Sequence, residues 1–145
     1  MLSAATAEVA IFYADSSALV KLVRDEPESS ALRAFLSDAD LVSCELILVE
    51  LPRAIRRAVA IDPSLPLDPL IARAGELVDA VALVPLDRAL LAAAGAFAEP
   101  ALRAPDAIHV AAAVELSPLD AFLTYDERQG AAARLAGLRT VLPGA

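Results

Sequence analysis

The sequence predicts an α/β protein, a three-layer α/β/α sandwich around a central, mostly parallel sheet. Two observations carry this. Short apolar runs alternate along the chain with stretches of helical period. The runs are also apolar at successive positions rather than at every second one, as strands covered on both faces are.

The elements follow in order. Glu8 to Ala14, EVAIFYA, is rich in β-branched and aromatic residues and reads as the first buried strand. A helix runs from Ser16 to Glu26, where Pro27 stops it, and a second covers Glu28 to Ala39. Asp40 to Ser43 is a brief strand. Glu45 to Ile61 is helical in period, with Pro52 inside it as a kink or as the start of its second half. Ile61 to Pro69 holds three prolines and reads as a loop within one domain, before a helix over Asp68 to Ala80. Val81 to Leu86 is a strand, and Asp87 caps the helix DRALLAAAGAFAE. Pro105 and Asp106 open a helix that reaches about Leu116. Ala121 to Tyr125 is a strand, DERQGAAARLAG a helix, and Arg139 to Leu142 the last strand.

Composition bounds the function. The 145 residues suit one domain spanning the chain, and 58% hydrophobic residues supply a sizeable core. No apolar run is long enough to span a membrane, and Met1 to Ile11 carries Glu8 without the basic start of a secretory leader, so a soluble cytoplasmic protein is expected. The lone cysteine, Cys44, excludes an internal disulfide and reads as a small buried residue. With one histidine besides, the chain has no Cys/His cluster with zinc spacing. A net charge of −8 argues against broad electrostatic binding of nucleic acid, though the distribution of charge matters more than its sum. It suits a basic protein partner or a cluster of metal-binding carboxylates. With aromatic residues at 4%, a base-stacking platform is not expected.

The placement of the acids is more informative. Ligands of a parallel sheet bind beyond the carboxyl ends of its strands. Asp15 directly follows the first strand and Asp126 follows AFLTY. Asp106 lies in the first turn of its helix, and Glu50 lies within another. Each has an ordinary structural explanation. Asp15 and Asp126 would cap helices, Asp106 would favour a helix dipole, and Glu50 would pair with Arg53 or Arg57. Together, four carboxylates from four segments could converge on one edge. Converging anions stay ionised only beside a compensating cation, and an all-oxygen set selects Mg²⁺ or Mn²⁺. Such an ion activates water and stabilises charge on a phosphodiester. His109, three residues after Asp106, is expected to be a packed histidine hydrogen-bonded near the site rather than a base. Ser17, Lys21 and Arg24 share a helix face, Arg53, Arg56 and Arg57 form a second basic cluster, and Arg128 lies just past Asp126. These could position phosphates or could be solvated faces making exposed ion pairs.

The segments FYADSSALVKL, LVELPRAIRR, LRAPDAIHVAAA and AFLTYDERQ occur in an order that resembles the PIN-domain family. They are most similar to the VapC-type ribonuclease toxins of type II toxin–antitoxin pairs, with the likeness running from about Val9 to Leu142. The resemblance implies a PIN-like α/β/α fold and an endoribonuclease dependent on Mg²⁺ or Mn²⁺, cutting single-stranded or looped RNA such as tRNA or rRNA loops. It carries the catalytic, metal-holding roles to Asp15, Glu50, Asp106 and Asp126, and supporting roles to Ser17 and Thr124. The departure is Pro52, just after Glu50, which would shift that carboxylate. The resemblance further implies a homodimer silenced by a cognate antitoxin with a basic tail, and no direct DNA binding. The apolar stretches Ala18 to Val23 and Ala31 to Leu36 are candidate docking surfaces. Two other readings stay open: a PIN-like module that binds RNA or protein without cutting, and another metal-dependent phosphoryl hydrolase. An aspartyl phosphatase usually wants a second acid two residues after the first, where this chain has Ser17.

Overall fold

The computed structural model describes residues 8–145. The part of Met1 to Ile11 before Glu8, and with it most of the expectation about a leader, lies outside them. Five parallel strands form one sheet in the order β3-β2-β1-β4-β5. They are β1 (Ile11–Ala14), β2 (Asp40–Cys44), β3 (Ala82–Val84), β4 (Ala121–Leu123) and β5 (Thr140–Val141). The helices are α1 (Ser16–Val23), α2 (Ser29–Phe35), α3 (Ile47–Ile61), α4 (Leu67–Ala80), α5 (Arg88–Gly95), α6 (Ala104–Leu116) and α7 (Glu127–Leu135).

Alternation along the strands sorts the core into two layers. Phe12, Ala14, Ala121 and Leu123 point to the side covered by α1 to α4, where they meet Leu19, Leu32, Leu51, Ile55 and Leu70. Tyr13, Cys44 and Phe122 point to the other side, against Leu90 of α5, Val110 and Ala112 of α6 and Ala133 of α7. Both faces are thus covered, as the unbroken apolar runs require. The buried face of α6 is mostly alanine, with Ala107, Ala111, Ala112 and Ala113 packed in this layer. Leu19 is fully buried at the centre of the first layer. Leu19→Ala is expected to cost about 2–5 kcal/mol, read as a lower urea midpoint with an unchanged slope.

Several boundaries differ from the sequence reading. Strand β1 starts at Ile11 rather than Glu8, and β3, β4 and β5 stop early at Val84, Leu123 and Val141, whereas β2 runs one residue further than expected, to Cys44. The first helix ends at Val23, before Arg24 turns extended, and the second ends at Phe35 rather than Ala39. The helix after Asp87 ends at Gly95 rather than Glu99, ahead of Pro100. Pro52 lies in the second turn of α3 and deprives the Leu48 carbonyl of its partner, yet the helix runs on to Ile61 without a break. Gly137, at φ +88°, takes the left-handed turn after α7 that a side chain would strain. Ala18, Leu19, Val23 and Leu32, within the expected docking surfaces, are spent in the core, and only Phe35 among their large side chains stays well exposed. Among the described residues no helix is long and apolar enough to cross a membrane.

The order of the strands places the site. The chain moves outward from β1 through β2 to β3, then returns to lay β4 on the other side of β1. Between β1 and β4 the loops beyond the carboxyl ends diverge and leave a crevice.

Candidate active site

The crevice is a cavity of about 300 Å³ lined by Asp15, Glu50, Asp106, Asp126 and their neighbours. Asp15 stands at the end of β1 and is almost fully buried. One carboxylate oxygen, Oδ1, accepts from the Ser17 hydroxyl at 2.6 Å and from the Ala18 N–H at 3.1 Å, which caps α1. The other accepts from the Thr124 hydroxyl. Burial pushes the Asp15 pKa up, against the hydrogen bonds from Ser17 and Thr124, the pull of His109 and the Ala18 N–H. The two hydroxyls also accept N–H bonds from the loop after β4. Tyr125 donates to Ser17 at 2.9 Å and Asp126 donates to Thr124 at 3.1 Å. Asp126 Oδ1 in turn accepts from Gln129 N–H at 3.0 Å and caps α7. The ordinary capping explanation therefore holds for Asp15 and Asp126, and it consumes only one oxygen of each.

Asp106 is different. It lies in the first turn of α6, where Arg103 is the N-cap residue and makes no side-chain cap. Its Oδ2 is buried without a hydrogen-bond partner among the described residues. A buried acceptor left bare costs about 1–3 kcal/mol, so the helix terminus alone does not explain a carboxylate there.

Glu50 projects from α3 beside the buried residues Ile47 and Leu51. Among the described residues its ion-pair partner is His109 rather than Arg53 or Arg57, with Nε2 donating to Oε1 at 2.6 Å. His109 is buried, and its Nδ1 lies 2.8 Å from the Tyr13 hydroxyl and 3.7 Å from the Cys44 sulfur. Burial opposes a charged ring, and the contacts with Cys44 and Glu50 outweigh it, so the pKa is pushed up to about 10. A raised pKa contributes stability that is complete below the ring's ordinary value of 6.5 and is lost as pH rises toward 10. The melting temperature of the ion-free protein is therefore expected to fall between about pH 6.5 and 10, and His109→Gln to flatten that part of the curve.

The basic residues divide. Arg57, seven residues beyond Glu50 on α3, lines the cavity, as do Arg128 and Arg103. All three side chains are exposed. Arg53 and Arg56 do not line it. Lys21 is tied to Glu26 at 2.6 Å and Glu28 at 2.9 Å and lies over the Tyr125 ring, and Arg24 lies 3.4 Å from Glu26. These two face the turn around Pro27 rather than the cavity. Arg103 and Gln129 are wall residues that the sequence reading missed. Arg103 carried one available signal, its position just before a Pro-Asp helix start.

The donor set suits a hard divalent ion, with carboxylate oxygens from four elements and one of them buried and bare. The side chains are not drawn in around one. Among the described residues no three His, Cys, Asp or Glu groups are disposed to hold a metal as they stand. Asp15, Glu50 and Asp126 are each turned to a donor of the chain itself, which spares like charges from meeting.

The family model of the PIN domain matches residues 12–135. The chain belongs to the PIN domain family. Kinship with VapC-type ribonucleases within it is borne out by curated relatives. This PIN domain is 39% identical over 141 residues to Ribonuclease VapC35 of Mycobacterium tuberculosis, covering 92% of this chain and 98% of that one. It is 35% identical over 141 residues to Ribonuclease VapC47 of the same species, with 93% and 98% covered. Among solved structures, M. tuberculosis VapC20, a Sarcin-Ricin loop cleaving toxin, matches the PIN domain with a TM-score of 0.69 at 16% identity, over 91% of this chain and 99% of that one. VapBC2 from Rickettsia felis, bound to a DNA fragment from their promoter, matches with a TM-score of 0.60 at 9% identity, over 92% and 98%. At those identities the two structures share the fold, which is the expected α/β/α sandwich.

Proposed function

We propose that this PIN domain is an endoribonuclease, the toxin of a toxin–antitoxin pair, and that it hydrolyses RNA phosphodiester bonds with the help of Mg²⁺ or Mn²⁺. The observation that carries the reading is one cavity, at the crevice between β1 and β4, floored by four carboxylates and rimmed by three arginines. The VapC ribonucleases to which the chain is similar support it.

Asp15, Glu50, Asp106 and Asp126 would hold the ion. When bound, it supplies an acidified water and offsets charge that builds on the phosphate. The chain's own residues do the rest. Ser17 and Thr124 hold Asp15 by both oxygens and knit it to the loop that carries Asp126. The α7 backbone fixes Asp126 through its cap. Arg57, Arg103 and Arg128 meet RNA phosphates at the rim and orient the strand across the acidic floor. This resolves the tension with a net charge of −8, because the cations sit where the substrate enters. Loops of tRNA or rRNA are the proposed substrates.

The proposed setting is the cytoplasm, with a cognate antitoxin as partner and a homodimer as the assembly. Any DNA contact would come through the antitoxin. An acidic chain suits a basic antitoxin tail.

The test is cleavage of total RNA by the purified protein with Mg²⁺ or Mn²⁺, and again with EDTA. Metal-dependent cutting that leaves a 5′-phosphate and a 3′-hydroxyl is the expected result. A 2′,3′-cyclic phosphate product would mean attack by the 2′-hydroxyl and would overturn the hydrolytic reading.

A further inference from the structure

Behind the carboxylates lies a second layer of polar groups that the reaction as stated does not use. Tyr13 of β1, His109 of α6 and Glu50 of α3 form one line of hydrogen bonds, 2.8 Å and then 2.6 Å long. Tyr13 and His109 are buried, at 0% and 2% exposure, and Glu50 stands at the cavity wall. Tyr13 is itself fixed by stacking on Phe122, with ring centroids 5.1 Å apart. The line ties together the three elements that carry Asp15, Asp106 and Glu50.

A structural filler does not explain this arrangement. The position of His109 lies in the apolar layer between α6 and the sheet, where an aliphatic side chain would pack without desolvating two ring nitrogens. Glu50 does not need a partner for its own sake, since a quarter of its side chain is exposed to water. The bond uses only Oε1. Among the described residues Oε2 makes no hydrogen bond. What the bond does is select one rotamer of a long, flexible carboxylate at the wall of an acid-lined cavity. Groups behind a metal ligand have this effect generally, and removing one costs about 10–100-fold in metal affinity or activity.

We propose that His109 is a positioning residue that aims the Glu50 carboxylate into the cavity, and that the Tyr13 hydroxyl is the anchor that holds the ring for this task. The inference rests on the ribonuclease reading above for its role in catalysis. What Glu50 needs is an N–H donor at the Nε2 position, not the ring.

The test uses the full chain, His109→Leu, His109→Gln and Tyr13→Phe. Glutamine reaches the Nε2 position with an N–H and is neutral, so it separates the hydrogen bond from the imidazole. Three readouts are taken: the Mn²⁺ dissociation constant by titration calorimetry, kcat and KM for RNA cleavage, and the melting temperature. His109→Leu is expected to weaken Mn²⁺ binding by about 10–100-fold and to lower kcat by a similar factor with KM unchanged. His109→Gln should recover both to within a few-fold of the natural protein. Tyr13→Phe keeps the stack on Phe122 and should weaken Mn²⁺ binding by several-fold. Loss of packing alone would lower the melting temperature without this order of affinities.

The proposal is overturned if folded His109→Leu binds Mn²⁺ and cuts RNA like the natural protein, or if His109→Gln is as poor as His109→Leu. Should His109→Leu fail to fold, Tyr13→Phe decides, and an unchanged Mn²⁺ affinity there overturns the proposal. A natural protein that binds Mn²⁺ but cuts no RNA defeats the ribonuclease reading alone, because the affinities still report on Glu50. A natural protein that takes up no Mn²⁺ defeats both.

Discussion

Asp106→Asn is expected to abolish RNA cleavage while leaving the fold intact. The physical reason is the state of the carboxylate. Asp15 and Asp126 each give an oxygen to a helix cap, and Glu50 gives one to His109. Among the described residues Asp106 gives none, and its buried Oδ2 has no partner. Replacing it removes no side-chain hydrogen bond among the described residues, so the ion-free melting temperature should hold. Its charge is lost at the point where a cation has the most to gain. The drop in kcat/KM should exceed the roughly 10–100-fold that follows loss of a group behind a metal ligand. A second measurement separates this from damage to the site. Mn²⁺ should raise the melting temperature of the natural protein, because an ion that binds only the folded state stabilises it. It should do so far less for Asp106→Asn. A variant that melts as before, gains from Mn²⁺ as before and still cuts RNA would leave Asp106 with no role in the site.

Much of the fold is legible in the sequence because its signals are local. Successive apolar residues in IFYA and AFL require cover on both faces, and two layers of helices supply it. Asp15, Asp87 and Asp126 announce helix starts by their position, and each caps one. The same locality makes the carboxyl-edge acids readable, since strand ends mark the ligand side of a parallel sheet. What could not be read depends on distant contacts. His109 meets Tyr13 from 96 residues away and Glu50 from 59, and neither separation leaves a mark on the local pattern. The pairing of Glu50 with Arg53 or Arg57, natural by helical spacing, loses to that distant partner. Pro52 looks disruptive in sequence, but packing of Ile47, Leu51 and Ile55 holds α3 through it. Helix spacing leaves both phosphate contacts and ion pairs open for Lys21 and Arg24, and the ion pairs form because the turn at Pro27 folds Glu26 back onto both and Glu28 onto Lys21.

That last difference makes opposite expectations for two charge reversals that look alike in sequence. Arg128 lies on the cavity rim, exposed, next to Gln129 and near Asp126. A charge-assisted hydrogen bond to a phosphate is worth about 1.5–3 kcal/mol, or roughly 10–100-fold in binding. Arg128→Glu should therefore raise KM for RNA by at least about tenfold, with little change in Mn²⁺ affinity or melting temperature. The loss should shrink as salt rises, because screening already weakens phosphate contacts there. Lys21→Glu places a third carboxylate beside Glu26 and Glu28, all on side chains less than a quarter exposed. It should destabilise the fold by on the order of 1–2 kcal/mol and leave the KM of the folded protein near its natural value. Reading both variants by melting temperature and by KM distinguishes the two sites. If Lys21→Glu instead raises KM at full stability, the RNA path runs along α1 and not along the rim formed by Arg57, Arg103 and Arg128. An Arg128→Glu variant that loses Mn²⁺ binding together with cleavage would place Arg128 among the supports of the carboxylates rather than on the substrate.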